Sequence, residues 1–214
     1  MADLFGQSAG KYSAWLRATR SALLNNSGVD VPCGTCNACC RSALFIHIQP
    51  DEKETRACIP AALLFPAPGL GEGHMVLGYD EQGHCPLLEN ESCSIYDQRP
   101  QTCRTYDCRI FPATDIKLTD QGKSAILEQT QRWKFTTDTS HDREKQAAVQ
   151  QAAVFIQDHV HLFPPDTMPE TQTHIALMAI KVYELFLLGD HQLQSDEGLV
   201  QSIVEVKHHA EPPA

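Results

Sequence analysis

The sequence predicts an α+β chain, mainly α, in which an irregular cysteine-rich core with short hairpins packs among amphipathic helices. Three observations predict it. Apolar residues recur at helical spacing near the start and again beyond Phe111. All nine cysteines lie between Val31 and Ile110, mixed with Pro and Gly, where long helical periodicity is missing. Within that stretch, short apolar runs alternate with clusters of turn residues.

The first helix is expected over 12–24, where Tyr12, Trp15, Leu16 and Leu23 share a face and Asn25, Asn26, Ser27 and Gly28 supply a stop. Residues 43–48 and 75–79 read as strands, and 80–83 and 89–92 as turns. A short helix from Asp51 is ended by Pro60 or by Pro66 and Pro68. Three helical patterns follow at about 123–133, 142–159 and 171–188. The second carries Val149, Ala152, Ala153, Ile156 and Val160 on one face, and the third stops at Gly189. The tail from Glu205 is expected to fray. The chain thus divides into an N-terminal helix (1–30), a cysteine-cluster region (31–112) and a helical region (113–214), expected to form one compact domain because no long linker separates them.

A chain of 214 residues buries a core without needing a metal to compensate for small size. Its formal net charge of −10 disfavours nucleic acid and anionic lipid, leaving a protein or small molecule as the expected partner. The start lacks the basic-then-apolar order of a secretory signal, and Lys181 and Glu184 interrupt the most apolar stretch. The expected location is therefore cytoplasmic, where clustered thiols are metal ligands or redox centres in preference to disulfides.

The first cluster reads Cys33-Gly34-Thr35-Cys36-Asn37-Ala38-Cys39-Cys40. Two successive two-residue gaps let a loop wrap thiolates around a soft metal, with Gly34 free to take a positive φ. Cys39 and Cys40 are adjacent, and neighbouring side chains of an extended chain diverge, so the pair need not serve one ion. The second cluster comprises Cys85, Cys93, Cys103 and Cys108. Eight thiolates suit two tetrahedral zinc sites, whereas four suffice for one [4Fe-4S] cluster; spacing alone leaves zinc and iron-sulfur open. Magnesium and calcium are excluded as principal ions because thiolates are soft.

The two clusters resemble the YkgJ-like cysteine-cluster family of zinc- or iron-chelating domains. The resemblance rests on Cys33 through Cys40, on Cys85-Pro86, and on Cys93-Ser94-Ile95-Tyr96, Arg99-Pro100, Cys103-Arg104 and Cys108. It implies chelation of zinc or iron. A more distant similarity to flagellin lysine methylases implies an enzymatic branch, but no glycine-rich nucleotide loop follows a strand here.

Other residues have two readings each. Arg41, Arg99, Arg104 and Arg109 can donate to thiolates or make surface ion pairs. His84 and His47 can assist a metal, while His159, His161, His208 and His209 read as helix-end or solvent-facing. The Tyr96-Asp97 and Tyr106-Asp107 pairs can orient thiolates and arginines or simply satisfy a packed phenol. Trp133, Lys134 and Phe135 read as a contact surface or as part of a helix buried against the body. Cys58 reads as an ordinary buried thiol. The expected function is metal binding through the eight clustered cysteines; the alternatives are an iron-sulfur enzyme, an electron-transfer protein or a metal carrier.

Overall fold

A computed structural model describes residues 6–25, 29, 31, 33–187 and 195–209, the last three as backbone alone. In chain order the elements are β1 (Gln7–Lys11), α1 (Tyr12–Leu24), β2 (Ile46–Ile48), α2 (Lys53–Ala57), β3 (Leu64–Pro66), β4 (Met75–Leu77), β5 (Leu88–Glu89), β6 (Ser92–Cys93), α3 (Gln101–Thr105), α4 (Ile110–Thr114), α5 (Ser124–Arg132), β7 (Trp133–Thr136), α6 (Ser140–Asp158), α7 (Gln172–Val182) and α8 (Asp196–His209). Helix accounts for 51% of the described residues and strand for 12%, so the fold is α+β and mainly α. The chain forms two compact units, one of residues 1–27, 109–118 and 130–214, the other of 28–108 and 119–129.

In the helical unit, α1 buries Tyr12, Trp15, Leu16, Thr19 and Ala22, the stripe its periodicity predicts. The Tyr12 hydroxyl donates to the Ala113 carbonyl of α4 over 3.1 Å. At the start of α6, Thr139 and Asp142 form a reciprocal capping box. The same Asp142 carboxylate accepts from the amide and hydroxyl of Ser13, which ties α6 to α1. Val149, Ala152, Ala153 and Ile156 are buried, as the face of α6 predicts, and Val160 is half-buried beyond its end. Ala152, Ala153, Ala176 and Ala179 are all at most 1% exposed, so α6 and α7 meet through side chains too small to hold their backbones apart.

Three expectations change here. The helix expected over 123–133 stops at Arg132, and Trp133 instead begins β7, which pairs in parallel with β1. Trp133 is buried, as alternation in a strand of aromatic and β-branched residues allows. The helix expected to reach residue 188 tightens after Val182 into a 3₁₀ turn, Tyr183–Phe186, and its stop at Gly189 lies outside the described residues. From Asp196 the chain forms α8, which buries Leu199, Val200, Ile203 and Val204 and carries helical backbone through the expected tail as far as His209.

In the cysteine-rich unit, β2, β4 and β3 form an antiparallel sheet with β4 central. Alternation sends Ile46, Ile48 and Leu77 into a core shared with Ile59, Leu87 and Ile95, against which Leu64, Met75, Cys85, Cys93 and Cys103 pack. The opposite face carries His47, Val76 and Phe65, which lie across from one another in register. The β5–β6 hairpin turns through Asn90 and Glu91, both at positive φ, the conformation that a two-residue hairpin turn requires. Short α3 is fastened to the sheet where the Thr102 hydroxyl donates to the His47 carbonyl, 2.7 Å away. Its first amide, Gln101, donates to Glu52 Oε1 at 2.6 Å.

Candidate metal centre

All eight predicted cysteines fall in the second unit, and all are free thiols. Cys33 and Cys36 are joined by a turn in which the Cys36 amide donates to the Cys33 carbonyl at 2.9 Å, with Gly34 at φ +56°. That backbone region favours glycine. The chain then tightens into a 3₁₀ turn, Cys39–Arg41, instead of remaining extended. Successive residues of such a turn point about 120° apart, so Cys39 and Cys40 still diverge.

Their thiol neighbours differ accordingly. Burial first, and then Cys108, Cys33, Cys36 and Cys40, push the Cys39 thiol well above its ordinary value. For Cys40, burial comes first and Cys85 and Cys93 next, raising the thiol to about 12. Cys103 is raised to about 12 by burial and then by Cys40, Cys85 and Cys93. Cys36 and Cys33 also act on Cys40, and Cys40 on Cys39, so the eight thiols share one neighbourhood in which Cys39 couples first to Cys108 and Cys40 first to Cys85 and Cys93. Among the described residues no three His, Cys, Asp or Glu side chains stand together as a finished ion site. The sulfurs are thus near enough to feel one another's charge without converging on a point.

Main-chain and side-chain donors surround the second cluster. Burial raises the Cys85 thiol, and a hydrogen bond from the Leu87 amide opposes that rise. Such an amide stabilises a thiolate more than a thiol. The Arg99 guanidinium favours the charged form of Cys103 while lying 4.2 Å over the Tyr96 ring. Burial first, and then the charges of Cys39 and Cys108, hold the Tyr106 phenol neutral far above neutral pH. A neutral phenol can donate to a thiolate. The donor set therefore fits a soft, thiophilic metal: eight thiols in one unit, with amide, phenol and guanidinium donors at hand to offset thiolate charge.

The remaining candidates separate. Arg41 pairs with Glu91, which also accepts from Asn37, so this arginine makes the surface ion pair. Arg109 is buried in the helical unit, its guanidinium 5.8 Å from the Trp133 ring centre and within 3.4 Å of the Ala9 carbonyl. His47 stacks on His74, with Nε2 and Nδ1 2.9 Å apart, and His84 closes a turn by donating its amide to Asp80. His159 stacks on Phe155 and meets Asp196 at 3.3 Å, the helix-end role expected of it. Cys58 is exposed, not buried, because α2 is a single turn that ends just before it. The amide donor at Leu87 is the contribution that spacing did not reveal, while Tyr106, named from its place beside the cysteines, couples to Cys39 and Cys108.

Unit and donor set together define a cysteine-cluster chelating domain. Residues 32–141, just over half of the chain, match the CxxCxxCC family, described as "Putative zinc- or iron-chelating domain". The chain belongs to that family, in agreement with the resemblance carried by its cysteine runs. No curated protein and no solved structure matches the chain.

Proposed function

We propose that this protein binds two zinc ions, one through Cys33, Cys36, Cys39 and Cys108 and the other through Cys40, Cys85, Cys93 and Cys103. The observation that supports the proposal is the 3₁₀ turn Cys39–Arg41, which turns Cys39 and Cys40 about 120° apart, Cys39 coupling first to Cys108 and Cys40 first to Cys85 and Cys93. Four thiolates complete the tetrahedral shell zinc prefers, and two such shells use all eight clustered cysteines. Occupancy would cross-link the loop at 33–41 to the hairpin and α3, coupling metal binding to order in a segment that has little regular structure of its own. A reducing, cytoplasmic setting suits thiolates kept available for metal. The similarity to flagellin lysine methylases lies outside the family match, so methylation is not part of this proposal.

Elemental analysis and an absorption spectrum test it, on protein purified without oxygen and without a metal-affinity column. The expected result is about two zinc per chain, falling to about one in Cys39→Ser and in Cys40→Ser and to none in the double variant. Iron with matching sulfide and a visible absorption that bleaches on reduction would overturn the zinc assignment and direct attention to an iron-sulfur enzyme or electron carrier. Loss of both ions from either single variant would overturn the division into two sites.

A further inference from the structure

The outer face of the β2–β4–β3 sheet lies beyond that reading and has its own chemistry. Phe45 is 61% exposed, Tyr79 41% and Phe65 39%, although large aromatics are ordinarily covered. The three form a continuous group, with Phe45 5.1 Å from Tyr79 and 6.2 Å from Phe65 between ring centres. Gly78 lies beneath them, its missing Cβ facing Phe65 and Phe45, so the chain supplies a low aromatic floor.

Charge identifies what this floor fits. From residue 57 to residue 98 the sequence contains no Lys or Arg, while Glu72, Asp80, Glu81, Glu89, Glu91 and Asp97 supply carboxylates. Asp80 and Glu81 directly follow Tyr79 and are exposed. Arg41 already pairs with Glu91, whereas the Asp80 carboxylate accepts from the main-chain amides of Gln82 and His84 and, among the described residues, forms no ion pair. Exposed aromatic faces beside unneutralised carboxylates attract guanidinium groups twice over, by cation–π contact and by charge. The same carboxylates repel nucleic acid and anionic lipid.

We propose that this face docks an arginine-bearing basic segment of another protein, the guanidinium groups lying on Phe45 and Tyr79 and pairing with Asp80 and Glu81. The test uses the full chain and a fluorescent, end-capped decapeptide alternating Arg and Leu, followed by anisotropy at low and moderate salt. Saturable binding is expected, weakened at least fivefold by Phe45→Ser with Tyr79→Ser and to a similar degree by Asp80→Asn with Glu81→Gln. Asparagine retains an acceptor for the turn amides, and unchanged melting verifies that the variants fold. The charge-matched pair Glu54→Gln with Glu128→Gln should bind as wild type does, and a peptide with Gln in place of Arg should not bind. Absence of saturable binding, equal weakening by the control pair, or indifference to the aromatic substitutions would overturn the proposal. So would concentration-dependent self-association abolished by Phe45→Ser, which would make the occupant a second copy of the chain.

Discussion

The amide of Cys85 donates to the carbonyl of Cys40 over 2.7 Å, fastening the two cysteine clusters together through the main chain. This link does not depend on either sulfur, so the side chains can be changed while it persists. In metal-stripped protein, Cys85→Ser is expected to move the thermal midpoint by no more than a few degrees, the effect of about 1 kcal/mol in a chain of this size. In metal-loaded protein the same change should lower it far more, because a ligand that binds only the folded state is lost. Paired melts with and without chelator check both.

Burial and thiol neighbours raise Cys40 and Cys103 to about 12, so both are protonated at neutral pH without metal. Each such ligand must give up a proton on binding. Zinc affinity should therefore rise with pH, up to about tenfold per unit for each proton released, and calorimetric heats should vary with the buffer's ionisation enthalpy. Stability of the stripped protein follows the opposite course. The folded state binds more protons than the unfolded chain once pH passes the ordinary thiol value of about 8.5, so stability falls from there up to about 12. Urea midpoints at pH 7.5 and 9.5 check the sign.

Donors from Ser13 and Thr139 hold the Asp142 carboxyl well below the usual carboxylate range. A depressed folded value stabilises above the unfolded value of about 3.9, and that contribution disappears as pH falls through the folded one. Asp142→Asn is expected to lower the denaturation midpoint at pH 7, with the gap from wild type narrowing progressively below about pH 4. Urea titrations across that range are the measurement.

Tyr12→Phe leaves the Ala113 carbonyl of α4 without its buried donor, at an expected cost of about 1–2 kcal/mol. Ala179→Leu should cost about 1–3 kcal/mol by a different route, because residue 179 is fully buried on α7 and added volume must strain its neighbours. The two changes involve no cysteine, and metal content should remain at the wild-type level in both.

Periodicity was a good guide wherever an element has one buried stripe, as in α1 and α6, and turn chemistry located the 80–83 and 89–92 turns. It failed where pairing decides. Trp133 to Thr136 has the composition of a strand, but its partner β1 lies over a hundred residues away in sequence, and the preceding helical pattern runs straight into it. α8 was not expected, although Leu199 and Ile203, and Val200 and Val204, recur four apart behind the acidic start at Asp196 and Glu197. All eight clustered cysteines were nameable from spacing, but their grouping was not. The 3₁₀ turn at Cys39–Arg41, which spacing does not show, makes Cys39 couple first to Cys108 and Cys40 first to Cys85 and Cys93.

The helical unit is assembled from three separated stretches, with the cysteine-rich unit occupying the whole interval between the first and the second and the short one between the second and the third. During synthesis every cysteine leaves the ribosome before β7, α6, α7 or α8 exists, while α1 has been made and still lacks α6 and α7, against which it packs. Contacts across such sequence separations form late, because the intervening loop must first be closed. All residues of the cysteine-rich unit, through 129, are thus on the nascent chain before β7, α6, α7 and α8 follow, so its own contacts can form first and shorten the loop that the helical unit must close.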